Sequence, residues 1–221
     1  MQPPLSDVEV RVLGSLLEKE ATTPDNYPLS LNALVAACNQ TTSREPVMRL
    51  SEDEVTEGAV ALRRRYLLRQ IQPVGSRVTK FEHLLAQELT LTTRELAVLG
   101  VLLLRGPQTA GELYARTARL EPFSDIADLE GVLESLMARE PEPLVARLPR
   151  RTGQKEVRYA HLLSGEPSQA HEPEADERPA PVRRVAASDD RVAALEQTVD
   201  ALRGEVAALR AEVDALQALL R

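Results

Sequence analysis

The 221-residue sequence has no tryptophan, one cysteine, and only four tyrosines and two phenylalanines. A core with so few aromatic rings must be built from Leu, Val and Ala, and this composition favours helices. Cys38 has no second cysteine to pair with. An internal disulfide is therefore excluded, and we expect a reducing, cytoplasmic location.

Long apolar runs are also absent. No run reaches the roughly 18 residues of a membrane-spanning helix, so we expect no membrane span. The N-terminal MQPPLSDVEV lacks the basic-then-apolar pattern of a signal peptide. Of the net charge of −7, residues 1–85 and 86–163 contribute −1 each and residues 164–221 contribute −5. Neither of the first two segments is basic, so contact with nucleic acid would depend on local cationic patches.

Capping signals predict where the helices begin. In a capping box, a Ser or Thr and a Glu three residues later satisfy the free amides of a helix's first turn. We assign four capping boxes: Ser6 and Glu9, Ser51 and Glu54, Thr92 and Glu95, Thr109 and Glu112. Ser30 also caps a short helix, and Ser124 and Asp125 begin another.

Two predicted β-hairpins follow two of these helices. Residues 67–72 and 78–82 flank a turn at Gly75, and residues 144–148 and 156–161 flank a turn at Gly153. A capped helix that runs into a hairpin is the second half of a winged helix. The sequence therefore predicts a mostly α protein with small β-hairpins, in which residues 1–85 and 86–163 form tandem winged-helix domains by divergent duplication.

The C-terminal quarter has a different character. Residues 164–188 are rich in Pro, Glu and Ala, which predicts a disordered linker. Residues 189–221 carry a heptad seam with Val at a and Leu at d, a combination that favours a parallel two-stranded coiled coil and hence a homodimer. The alternative is one amphipathic helix folded back on its own chain. The proposed dimerisation residues are Val192, Leu195, Val199, Leu202, Val206, Leu209, Val213 and Leu216.

The string EKEATTPDNYPLSLNALVAACNQTTSREPV, residues 18–47, resembles the YceH family of bacterial proteins. Together with the repeated helix-and-hairpin pattern, the resemblance covers roughly residues 5–163. It implies two tandem winged-helix domains. The family has no agreed catalytic or ligand residues, so none is carried over. In architecture, the tandem arrangement also resembles the chromosome-segregation protein ScpB, which binds partner proteins. A likeness of architecture alone gives little information about function.

Nothing in the sequence predicts an enzyme. His83, His161 and His171 are scattered and share no metal-ligand spacing with Cys38 or a carboxylate cluster. Walker, dinucleotide-binding and nucleophile-elbow motifs are absent. Cys38 lies on an apolar helix face, where a buried hydrophobic role is expected rather than a nucleophilic one. We expect no cofactor, no metal and no small-molecule substrate.

A DNA-binding hypothesis depends on the hairpins. Their cations are Arg77, Lys80, Arg147, Arg150, Arg151, Lys155 and Arg158. These residues have the chemistry to hold backbone phosphates or to enter a minor groove, although charge on an exposed hairpin also serves to prevent aggregation. The helix that would enter a major groove begins with Glu52, Asp53 and Glu54, which repel phosphates.

A second candidate surface is the long turn after the second helix, together with the loop that precedes that helix. Its proposed partner-binding residues are Tyr27, Asn39, Gln40, Arg44 and Arg49. The alternative is a loop whose polar side chains bond to its own backbone.

These observations leave two hypotheses. The first is a DNA-associated, transcription-regulator-like protein that binds as a dimer. The second is a protein–protein interaction module with a ScpB-like scaffold role.

Overall fold

A computed structural model of the chain describes residues 3–73, 77–150 and 156–165. These residues belong to one compact unit and are mostly helical, with two small antiparallel sheets. The predicted fold class is confirmed at this level. The heptad segment, and all but the first two residues of the predicted linker, lie outside the described residues. In the described ranges, no helix is long and apolar enough to cross a membrane.

Seven α-helices are described, and their starts follow the capping signals. Ser6, Ser51, Thr92 and Thr109 all form the predicted capping boxes. The cap of the last helix is Asp125, whose side chain accepts from the backbone N–H of Asp128. The helices are α1 Asp7–Thr22, α2 Leu31–Cys38, α3 Glu52–Arg64, α4 Leu85–Glu88, α5 Thr93–Arg105, α6 Ala110–Thr117 and α7 Ile126–Met137.

Each sheet has a hairpin and one additional short strand. The strands are β1 Leu29–Ser30, β2 Leu68–Ile71, β3 Lys80–His83, β4 Gln108–Thr109, β5 Val145–Arg147 and β6 Arg158–His161. The strand orders are β1-β3-β2 and β4-β6-β5. The short strands were not predicted from the sequence. Each lies directly before a helix, where the cap residue is already extended, and pairs with the last strand of its half.

The described residues repeat one order of elements: helix, short strand, two helices, hairpin. The first half contains α1 to β3 and the second α5 to β6, with α4 between them. Helices α1 and α5 pack closely, since a Cβ added at Gly14 would lie 3.0 Å from the Leu103 Cβ. The backbone also joins the halves, because Leu5 N–H donates to Leu163 O at 2.9 Å and Glu45 N–H donates to Leu104 O at 2.8 Å.

Candidate functional site

The hairpin cations proposed to contact DNA differ in their surroundings. Arg77, Arg147 and Arg150 are exposed, and Lys80 is half-buried at the start of β3. Arg158 Nη1 donates to Pro107 O at 2.9 Å and lies 3.5 Å from Glu112 Oε2. Arg151 and Lys155 lie outside the described residues. Of the proposed cations in the described residues, three are therefore exposed, while Arg158 joins its strand to α6.

The turn proposed to bind a partner, residues 39–50, is closed by a pair of hydrogen bonds. Asn39 Nδ2 donates to Leu50 O at 2.8 Å, and Leu50 N–H donates to Asn39 Oδ1 at 2.7 Å. Gln40 is half-buried, and Arg49 is exposed. The Arg44 side chain is fully buried, where its guanidinium donates to Ala37 O and to Glu18 Oε2. Arg44 thus holds the turn against α1 and α2.

Tyr27, the last residue of the proposed surface, packs into the first half. Its hydroxyl accepts a hydrogen bond from His83 N–H at 2.8 Å. Burial raises the pKa of Tyr27, so its hydroxyl stays protonated. The contact fixes the loop after α1 to the end of β3.

Helices α3 and α7 present acidic first turns to solvent. Glu52, Asp53 and Glu54 of α3 are all exposed. The first turn of α7 has Asp125 and Asp128, and between them Ile126 is 44% exposed. Hydrogen bonds from the Ser124 backbone, together with Arg94 nearby, hold the pKa of Asp128 below its usual value. These surfaces carry negative charge at neutral pH.

The single thiol is buried. Cys38 lies in the core, and burial raises the pKa of its thiol above the ordinary value. A protonated, enclosed thiol is a poor nucleophile. Across residues 3–73, 77–150 and 156–165, no three His, Cys, Asp or Glu side chains are placed to hold a metal.

A cluster of charged side chains joins the two halves at the buried carboxylate Glu18, which is 1% exposed. Arg44 Nη2 lies 2.6 Å from Glu18 Oε2, and Arg119 of the second half pairs with the other oxygen, Oε1. Burial alone would raise the pKa of Glu18. The hydrogen bond and charge of Arg44, helped by Arg119 and Lys19, hold it below the usual value.

A cleft of about 200 Å³ opens beside this cluster. Its polar lining is Glu18, Ser43, Arg105, Arg116 and Arg119. Burial lowers the pKa of Arg105, and repulsion by Arg116 and Arg119 lowers it further, against the opposing charges of Glu45 and Glu18. The cleft is therefore a place where positive charge is concentrated.

No pattern in the sequence predicts this cleft. Glu18 and Arg119 are 101 positions apart, and each taken alone is an ordinary charged residue of a helix or loop. The only local signal is that Arg116 and Arg119 are three residues apart at the end of a helix, where cations also stabilise the helix dipole.

The family model described as "Protein of unknown function, DUF480" matches residues 5–154. The chain belongs to the DUF480 family. The resemblance to YceH, which is a member of the DUF480 family, is therefore confirmed.

Relatives from several bacteria support this membership. A UPF0502 protein of Opitutus terrae is 52% identical over 187 residues, covering 85% of this chain and 81% of the relative. One from Geotalea uraniireducens is 54% identical over 170 residues, 77% of each chain. One from Cronobacter sakazakii is 49% identical over 174 residues, 77% of this chain and 80% of the relative.

Proposed function

We propose that this DUF480 protein is a non-enzymatic binding module of two winged-helix units, and that it engages a basic protein partner through α3 and α7. The repeated order of elements supports the winged-helix assignment, since in each half three helices precede a hairpin and a short strand completes the sheet. The buried, protonated Cys38 thiol supports a role without covalent chemistry.

The observation that carries the proposal is the acidity of both first turns. In a winged-helix protein that reads DNA, the corresponding helix places its N-terminal residues in the major groove. Here that end carries Glu52, Asp53 and Glu54 in α3, all exposed. Carboxylates repel phosphates but attract Lys and Arg side chains. In α7, exposed Ile126 adds apolar surface of the kind that protein interfaces bury.

The test is charge reversal in α3. Glu57, also exposed, lies further along α3. Tagged wild type and Glu52→Lys/Glu57→Lys are incubated with nuclease-treated lysate, and captured proteins are quantified by isotope-labelled mass spectrometry. A partner should be depleted about tenfold or more with the α3 variant, because reversed charges repel it. Glu140→Lys/Glu142→Lys is the matched control, since it reverses two exposed carboxylates elsewhere. Equal capture by all three proteins would contradict the proposal.

DNA binding is the second candidate, and the exposure of Arg77, Arg147 and Arg150 favours it. A shift assay on duplex DNA over a salt series separates the two. If the hairpins bind DNA, Arg147→Ala/Arg150→Ala should lower the slope of log affinity against log salt by about 2, since each phosphate contact contributes about 0.9. Absence of any shift at low salt would exclude this candidate.

We also propose a homodimer formed through residues 189–221, supported by the heptad pattern in the sequence. Sedimentation of Leu202→Asp should give monomers, because a charge at a d position disrupts the seam. Gln197→Asp places the same charge at an outward-facing f position and should stay dimeric. A monomeric wild type would refute the dimer.

A further inference from the structure

We propose that the cleft between α1, α5 and α6 binds the phosphate group of a small molecule. Arg105 and Arg116 would hold the phosphate, and Arg119 would complete the cationic wall. The site is separate from the acidic helix ends and the hairpins, so it stands whether or not the proposed partner is found.

The charges that line the cleft do not balance. Three arginines line the cleft with one carboxylate, Glu18, and that carboxylate is already paired with buried Arg44 as well as with Arg119. Glu45, outside the lining, also opposes the charge of Arg105. Glu112 Oε1 lies 3.5 Å from Arg116 Nη2, and Glu112 Oε2 lies 3.5 Å from Arg158 Nη1. The charge of Glu112 is therefore shared between two arginines. A phosphate monoester carries about −1.5 to −2 at neutral pH and would neutralise the excess.

The guanidinium of Arg116, which lines the cleft, is only loosely paired within the protein. Its Nη2 lies 3.5 Å from Glu112 Oε1, beyond the usual length of a charge-assisted hydrogen bond. A phosphate in the cleft would therefore meet a guanidinium whose internal pairing is weak. The planar fork of a guanidinium also fits two phosphate oxygens at once, and this favours Arg over Lys at such sites.

The size and lining of the cleft define the class of ligand. A volume of about 200 Å³ is many times the ~10–15 Å³ that a cavity must offer to one water molecule. This is enough for a phosphate group with a small organic substituent. Leu104 and Leu120 form an apolar wall beside the arginines, against which such a substituent would pack.

Isothermal titration calorimetry of the full chain tests the proposal at constant ionic strength. The phosphate probes are inorganic phosphate and glycerol 3-phosphate, and malonate is the carboxylate comparison. We expect saturable binding of at least one phosphate probe. Arg116→Gln should weaken it about tenfold or more, because charge-assisted hydrogen bonds are lost. Arg64→Gln is the matched control, since it removes the same charge from an exposed site at the end of α3. Arg105→Gln is the second variant, used if Arg116→Gln does not fold.

Each outcome decides the question. Tighter binding of glycerol 3-phosphate supports a phosphorylated small molecule, and equal or tighter binding of inorganic phosphate supports the free anion; both support a phosphate site. No saturable binding of either probe overturns the proposal. So does binding that the cleft variant leaves unchanged, or weakening by Arg64→Gln to the same degree. Tighter binding of malonate than of either phosphate probe also overturns it, because the site would then be selective for carboxylates.

Discussion

At the scale of single residues, the ion pair between Glu18 and Arg44 joins the turn after α2 to α1. Both side chains are buried, and Arg44 also bonds to the backbone of α2. Removing Arg44 would leave buried Glu18 with Arg119 alone, a partner whose side chain is half-exposed, and an incompletely paired charge is costly in a medium of low dielectric constant.

We predict that Arg44→Met lowers the free energy of unfolding by about 3 kcal/mol, because Glu18 loses its buried partner. The double variant Glu18→Gln/Arg44→Met should cost less than the sum of the two single changes. Urea denaturation followed by circular dichroism measures the free energy of unfolding of Arg44→Met, of Glu18→Gln and of the double variant. Arg49→Met, an exposed arginine of the same turn, should change stability by less than about 0.5 kcal/mol. Strictly additive costs would show that the two side chains do not depend on each other.

His161 gives the chain a stability that depends on pH. Burial lowers the pKa of this side chain to about 4, from an ordinary value of 6.5. Between these two values the unfolded chain binds a proton that the folded chain does not. Stability therefore falls as the pH is lowered through this window.

We predict that lowering the pH from 7 to 5 reduces the free energy of unfolding of the wild type by about 1–2 kcal/mol more than that of His161→Gln. The lower end of this range allows for the partial exposure of the His161 side chain. Urea denaturation at the two pH values measures the difference. If the wild type and His161→Gln lost the same stability between pH 7 and pH 5, His161 would be shown not to cause the pH dependence.

At the scale of elements, α1 and α5 are joined by a close approach at Gly14. A Cβ added there would lie 3.0 Å from Leu103 Cβ and from Leu104 side-chain atoms. Real Cβ contacts are rarely so short, so a larger side chain would force the two helices apart. Well-packed interiors resist such displacement.

We predict that Gly14→Val destabilises the chain by about 1–3 kcal/mol, because the added methyl groups overpack the helix pair. Gly131→Ala in α7 is the contrasting control, since nothing lies within 4 Å of its Cβ position. That change should stabilise by up to about 1 kcal/mol, as alanine favours a helix. Differential scanning calorimetry measures both. If Gly14→Val left the stability unchanged, α1 and α5 would be shown to move apart freely.

The sequence predicted elements better than it predicted their assembly. Capping boxes are local, so Ser6, Ser51, Thr92 and Thr109 marked four helix starts correctly. The hairpin strands were also predicted, to within two residues at each end. Strands β1 and β4 were missed because two residues are too few to show an alternating pattern.

The candidate sites were harder to anticipate. Arg44 reads as a polar residue of an exposed turn, yet it is buried because Glu18 is within reach. The pairing of Glu18 with Arg119 joins positions that no local pattern connects. The cleft formed between them depends on how α1 meets α5 and α6, which is a property of tertiary packing and not of residue spacing.

At the scale of the whole molecule, the contacts between the halves bear on how the chain unfolds. Helices α1 and α5 share apolar contacts, and the Leu5–Leu163 and Glu45–Leu104 backbone bonds cross between the halves. Two repeats that bury surface against each other are expected to lose their structure together, whereas two repeats joined only by a linker would unfold independently.

We predict one cooperative unfolding transition for residues 3–165, and the repeat offers a matched pair of variants to test it. Leu34 in α2 and Leu113 in α6 occupy the fourth position of their helices, and both are fully buried. Either Leu→Ala change should cost about 2–5 kcal/mol by leaving a cavity. In differential scanning calorimetry, each should move the same single peak, because the halves unfold together. Two peaks, one moved by each variant alone, would show that the repeats unfold independently.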